Sequence, residues 1–251
     1  MIKPVIAWQI AVVAAAVLVM EGLCLAGVID RITMPPPHEI ARDLAVQLGA
    51  GTLYPAIGKT LGNVALSFAL AVAAGAAVGA ALHGLRAVRE VLEPLFAAYY
   101  AVPVFALYPL LIVAFGLGDG PQILIGFLLG VVAVIVNTLI GLDRVPAVLK
   151  KTARISRMGR VETALRVTLP CAAPHLLAGA KLALAYALIG VIGAEFLMSR
   201  GGMGYEISFA YANFDNATMY PLIVLILAFS IAVNGILSRW EKAIMARRGL
   251  A

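Results

Sequence analysis

Charge is scarce in this chain: 13% of its 251 residues are charged, against 63% that are hydrophobic, and mean hydropathy is +0.99. Soluble domains carry about twice that charged fraction, which excludes an ordinary soluble globule. Cysteine is nearly missing. Cys24 lies in the first apolar stretch and Cys171 beside a basic segment, so the two are expected at different depths, with no disulfide and no cysteine metal site. His38, His83 and His175 stand in separate regions without ligand spacing, so no metal site is expected from them. The period-two alternation of a membrane barrel is absent too; the apolar runs are continuous and rich in Ala, Leu, Val and Gly. Aromatic residues do not interleave with basic ones, which argues against nucleic acid despite a net charge of +6.

What remains is an all-α integral membrane protein. Six apolar segments, about 5–29, 56–83, 92–115, 120–141, 171–198 and 219–238, are each long enough to cross roughly 30 Å of hydrocarbon. The first is too long for a signal-peptide core and lacks a clear small-x-small site before Asp30, so it is expected to stay as a span. An even number of spans puts both termini on one side. That side, with the loops 84–91 and 142–170, holds fourteen of the nineteen Lys and Arg; the opposite side holds Arg31, Arg42 and Arg200, while Lys59 and Lys181 fall within segments. The asymmetry predicts cytoplasmic termini. The connector after "MPPP" reads as an amphipathic stretch at the outer interface. Gly75 and Gly79, and Gly126 and Gly130, recur at four-residue spacing and allow close helix contact, either within one bundle or between subunits.

Two motifs fail. "GKT" at Gly58, Lys59 and Thr60 lacks the glycine of a phosphate-binding loop, since Leu53 stands there, and "RGGMGYE" follows no strand. The chain is expected to bind no nucleotide. The segment "KKTARISRMGRVETALRVTLP", residues 150–170, has more order: Ile155, Met158, Val161 and Leu165 recur at helical spacing, and Glu162 pairs with Arg166 at i, i+4. Gly159 offers a bend or a close approach, and Pro170 and Pro174 are expected to end the helical piece. A basic loop that fixes topology and touches anionic lipid remains open beside a docked amphipathic element, which the periodicity favours.

With "VTLP" as anchor, residues 151–170 resemble the cytoplasmic loop of bacterial ABC-importer permeases, Glu-Ala-Ala, three residues, Gly, nine residues, Ile-x-Leu-Pro. Ala153, Val167, Leu169 and Pro170 match; Lys151 replaces the Glu, Thr152 the first Ala and Arg157 the Gly, with Gly159 displaced by two. "TLGNVALSF", "YYAVPVFALYPLLIVAFGLGDG", "NTLIGLDRVP" and "AEFLMSRGGMGYE" are similar to successive landmarks of permeases in the nitrate, sulfonate, taurine and bicarbonate importer group. The resemblance implies a type I importer permease fold of six spans in a bacterial inner membrane, with a coupling helix between spans four and five. It also implies a second permease copy, two cytoplasmic ATPase subunits that bind ATP and Mg in place of this chain, and commonly an external solute-binding protein. The chain divides accordingly into a first helix with external connector (1–55), the permease domain (56–245, coupling loop 142–170) and a tail (246–251).

The docking element on this reading takes Ile155, Met158, Val161 and Leu165 as apolar anchors, Arg154, Arg157 and Arg160 as rim charges beside Glu162, and Thr152, Ser156 and Gly159 within it. The path is expected along spans three to five. Pro103 and Pro109 interrupt the third span and free carbonyls, with Tyr99, Tyr100, Phe105 and Tyr108 as aromatic wall or as ordinary packing. Asn137, Glu195 and Met198 complete the set, with Glu195 expected to pair with a basic or hydroxyl group, Arg200 among them, to hold an outer gate. An intramembrane enzyme lacks the clustered nucleophile or carboxylates it needs. An ion-coupled secondary transporter is the remaining alternative, although the basic insert has no counterpart in the first half.

Overall fold

The computed structural model describes residues 4–31 and 33–246, and every regular element among them is helical. Lys3, Arg247, Arg248 and the rest of the expected tail beyond Ala246 lie outside the described residues. Five helices are long and apolar enough to cross a membrane. They are Ala7–Leu25 within α1 (Pro4–Leu25), α3 (Tyr54–Gly84), α6 (Asp119–Asp143), Arg160–Met198, and Asn216–Lys242 within α11 (Asn216–Ala246).

The third span, expected over 92–115 with interruptions at Pro103 and Pro109, is a bent pair. Helix α4 (Arg86–Tyr99) meets Val104–Phe115, a 3-10 turn Val104–Leu107 followed by α5 (Tyr108–Phe115), at 93°. Pro103 at the break has no N–H to donate and forbids helical geometry to its predecessor, whereas Pro109 sits in the first turn of α5, where no donor is needed. Helix α4 also starts earlier than expected and absorbs the 84–91 loop. Its surface carries the i, i+4 pairs Arg86–Glu90 and Arg89–Glu93, and Leu92 and Phe96, beside Arg89, pack on Leu82, Ile135 and Leu139.

After α6, α7 (Ala147–Ile155) leads into a tight turn, and the chain returns through α8 (Arg160–Thr163), a π turn (Ala164–Thr168) and α9 (Leu169–Met198). These last three form one continuous 39-residue helix. The expectation that Pro170 and Pro174 end the helical piece is therefore wrong. An α-helical turn would press the Pro170 ring onto the Arg166 carbonyl; the π turn widens the ladder there, and Pro174 lies inside α9 without ending it. The single apolar face expected through residues 155–165 is likewise split by the turn at 156–159.

The core is the seam between α6 and α9, with α3 laid against both. Gly126 lies so close to Gly190 that a Cβ on Gly190 would stand 2.6 Å from the Gly126 Cα, and Gly130 faces Ala183 and Ala71. Gly75 and Gly79 meet Val134 and Thr138 of α6. All four spaced glycines thus pack within one bundle, the first of the two readings left open by the sequence. Between α1 and α3, α2 (Pro37–Ala50) ends on Gly51 at φ 74°, a left-handed cap that glycine tolerates best. It carries the His38–Glu21 contact to α1 and, through Gln47, a hydrogen bond to the Ala217 carbonyl of α11. A short α10 (Met203–Ala212) closes the end opposite α7 and α8.

Gly190→Val should force α6 and α9 apart, since the obstruction is backbone and cannot rotate away. The expected cost is about 3 kcal/mol or more, read as a melting temperature lower by roughly 6 °C in detergent. Gly62→Ala, with nothing within 4 Å of the new Cβ, is the control and should be neutral or slightly stabilising.

Candidate functional site

Two polar constellations interrupt the apolar bundle, one at each end. At the end closed by α10, Glu195 is completely buried near the end of α9. The Thr60 hydroxyl donates to its Oε2 at 2.7 Å, and the Gly204 N–H donates to the same oxygen at 3.1 Å. Thr60 Oγ1 in turn accepts the Met203 N–H at 2.8 Å. The carboxylate therefore has a hydroxyl partner, not Arg200. Gly202, at φ 106°, lies against the carboxyl group: a Cβ there would stand 2.3 Å from its carbon.

The loop 199–204 is tied further. Gln122 Nε2 donates to Ser199 Oγ at 2.8 Å, Ser199 Oγ donates to the Gly201 carbonyl at 2.7 Å, and Asn63 Nδ2 donates to Gln122 Oε1 at 2.9 Å. Tyr108 donates its hydroxyl proton to the Met198 carbonyl at 2.8 Å, which fastens the second half of the broken span to the same loop. Lys59 and Asp119 close the layer with a 3.1 Å ion pair. Thr60, Asn63 and Gln122 were not picked out from the sequence. The available signal was polar residues at Thr60, Asn63 and Ser67, spaced i, i+3, i+7 along an apolar span, since such side chains face the interior.

The remaining wall residues are spread along the break. Tyr99 donates to the Leu128 carbonyl at 2.9 Å, and Tyr100, half-exposed, stacks on Tyr186 of α9 with ring centroids 5.7 Å apart. Pro103 is exposed at the kink, and the Phe105 ring presses on Gly193. Asn137 donates back to Ala133 of its own helix at 2.8 Å and packs over Gly179, so it does not join the tyrosines. The Met198 side chain is exposed.

At the other end, Arg89 holds Asp143 through both terminal guanidinium nitrogens, at 2.9 and 2.7 Å, and His83 Nδ1 stands 3.2 Å from the same carboxylate. Beyond this layer lies the α7–α8 hairpin. Its turn is a Schellman cap: the Met158 N–H donates to the Ala153 carbonyl and the Arg157 N–H to the Arg154 carbonyl, both at 3.0 Å. Arg157 occupies the left-handed position of that cap at φ 54°. The bend foreseen at Gly159 is thus two residues earlier; Gly159 is extended, with open space around its Cα. Ala153 is buried under the turn, Met158 half-buried, and Ile155, Val161 and Leu165 are exposed, with Thr152 capping back onto the Val148 carbonyl. Glu162 pairs with Arg166 at 2.9 Å; Lys151, Ser156 and Arg160 are exposed.

The family described as "Binding-protein-dependent transport system inner membrane component" is matched over residues 67–248. The chain belongs to that family. It is similar to the nitrate import permease protein NrtB of Leptolyngbya laminosa, 27% identical over 75% of this chain and 68% of the relative. It is also similar to a probable ABC transporter permease of Brucella melitensis biotype 1, 26% identical over 84% of this chain and 86% of the relative. Among solved structures, an inward-facing MetNI methionine ABC transporter chain matches with TM-score 0.66 at 17% identity, covering 76% of this chain and 95% of that one, which establishes a shared fold. This permease is accordingly the membrane-embedded component of an ABC importer, and the secondary-transporter alternative falls away.

Thr60→Val should leave both the Met203 N–H and a Glu195 oxygen without a partner, at a cost of about 2–4 kcal/mol. Thr60→Ser should restore most of it. Thermal unfolding of the purified permease, wild type against both variants, checks this; equal melting temperatures would mean the knot carries no stability.

Proposed function

We propose that the permease works as a pair whose α7–α8 hairpins dock on two cytoplasmic ATPase subunits, with ATP and Mg bound there and the hairpin end of the bundle facing the cytoplasm. The observation that carries this is the hairpin itself. It presents Ile155, 83% exposed, Val161 and Leu165 to the outside, amid basic residues without ion-pair partners among the described residues. Such a surface suits a protein groove, with apolar anchors inside a polar rim. The surplus of Lys and Arg at the same end supports a cytoplasmic orientation. Helix α1, apolar all round and joined to the rest mainly through α2, offers a face to a second copy or to lipid.

The path runs beside the break in the third span. Unpaired backbone at membrane depth is tolerable only where it faces protein or water, and the 93° bend supplies such backbone next to Tyr99, Tyr100 and Phe105. The knot around Glu195 holds the outer end of α3, α6 and α9 and serves as the outer gate. Solute reaches it from an external binding protein. The solute is small, of the class that the nitrate permease carries or a sulfonate, bicarbonate or heterocyclic nutrient of the wider group.

Two experiments check these readings. Cysteines placed at Ile155 and Val161 should cross-link to the co-purified ATPase subunit, and cross-links to lipid alone would overturn docking. In proteoliposomes, uptake of nitrate, taurine or riboflavin delivered by the binding protein should stop on ATP depletion and survive an uncoupler. Tyr100→Ala and Phe105→Ala should lower that uptake several-fold with the ATPase still bound; unchanged uptake in both moves the path elsewhere.

A further inference from the structure

The turn at the tip of the hairpin holds a residue that its backbone does not favour. The left-handed position of a Schellman cap is where glycine costs least, because an L side chain there crowds the following carbonyl. The ABC-permease loop pattern has a glycine at this same position, and the backbone here keeps the left-handed geometry at φ 54°. Yet the residue is Arg157, and its side chain is exposed, with no ion pair among the described residues. A side chain kept at such a position, where glycine would cost less, invites a role for the side chain itself.

Charge around the tip has one sign. Lys150, Lys151, Arg154, Arg157 and Arg160 have no ion-pair partner among the described residues, and Glu162 is already engaged by Arg166. Lys151 also stands where the family pattern has a glutamate, so the sign is reversed at the start of the motif. Together these positions leave an unneutralised basic surface that surrounds exposed Ile155 and Val161.

Anionic lipid could answer such a charge only if it came within reach, and the distances argue against this. Gly141 packs against Ala172 and His175, so those residues lie level with the adjacent Arg89–Asp143–His83 layer, a charged layer that suits the hydrocarbon boundary on this side. Arg160 is twelve residues further along a continuous helix, about 18 Å at 1.5 Å per residue. A tilt of about 20° leaves about 17 Å, well past a headgroup layer of roughly 5–7 Å. With the boundary at that layer the tip stands in water, where a protein partner can reach it.

We infer that the hairpin is matched to an ATPase subunit whose receiving surface is acidic, and that Arg157 at the apex selects that surface through a carboxylate contact. The inference rests on the docking reading above. Arg157→Gly relaxes the turn, so the purified permease should melt about 2 °C higher. The same variant should bind its co-purifying ATPase subunit about five-fold more weakly at low salt, with the difference from wild type vanishing at high salt. Arg157→Lys should retain most of the affinity and Arg157→Glu should lose more than Arg157→Gly. Equal ATPase affinity for wild type and Arg157→Gly across salt concentrations overturns the inference. So does a loss confined to phosphatidylglycerol vesicles, which would give the charge to the membrane. Ile155→Asp separates the two readings: if it too leaves the ATPase bound, docking itself fails, whereas if it releases the subunit and Arg157→Gly does not, only the role of Arg157 fails.

Discussion

Everything in this bundle depends on how closely α6 and α9 can approach. Lipid tails are as apolar as leucine, so burying side chains between helices gains little from leaving the solvent, and association rests on dispersion and hydrogen bonds at short range. Gly126 against Gly190, Gly130 against Ala183 and Gly141 against Ala172 remove the side chains that would hold the two backbones apart. Helix α3 adds Gly75 and Gly79 on the neighbouring side of α6. With three helices locked this way, the remaining elements can be irregular. The third span breaks, α1 stands aside, and α4 has no buried residue.

The polar groups are confined to layers at the two ends of this seam. At one end Glu195 is shared by Thr60 and Gly204, while Gln122 of α6, itself held by Asn63 of α3, and Tyr108 of α5 reach the same loop. In a low-dielectric interior each of these bonds is costly to leave unmade, so the loop 199–204 moves as a unit with the helix ends that hold it. At the other end Asp143, four residues before α7, is held by Arg89 of α4. The hairpin and the broken span are thereby tied to the same carboxylate.

The positions of the apolar spans and the interruption at Pro103 were legible because each follows from local chemistry: apolar length and a missing N–H. The course of residues 155–174 was not. Helical spacing of Ile155, Met158, Val161 and Leu165 does not reveal a turn whose left-handed residue is an arginine, and Pro170 looks like a terminator unless the ladder widens before it. Glu195 could be singled out as a buried charge, but its partner Thr60 lies 135 positions away and belongs to a tripeptide that drew attention as a failed phosphate loop. Pairings of that range are set by helix packing, which no local pattern encodes.

The helix from Arg160 to Met198 joins the hairpin tip to the knot at the opposite end without a loop between them. Thirty-nine residues make a beam about 58 Å long. Pivoting it by about 10° near its middle, where Gly179 and Ala183 bear on α6, carries each end sideways by about 5 Å, the width of one helical turn. Such a displacement exceeds the tolerance of a 2.7 Å hydrogen bond several times over. If the seam yields, a torque at one surface would reach the other as a broken bond, and the π turn at 164–168, where the beam departs from α-helical winding, would set how much of that torque is absorbed as flexure.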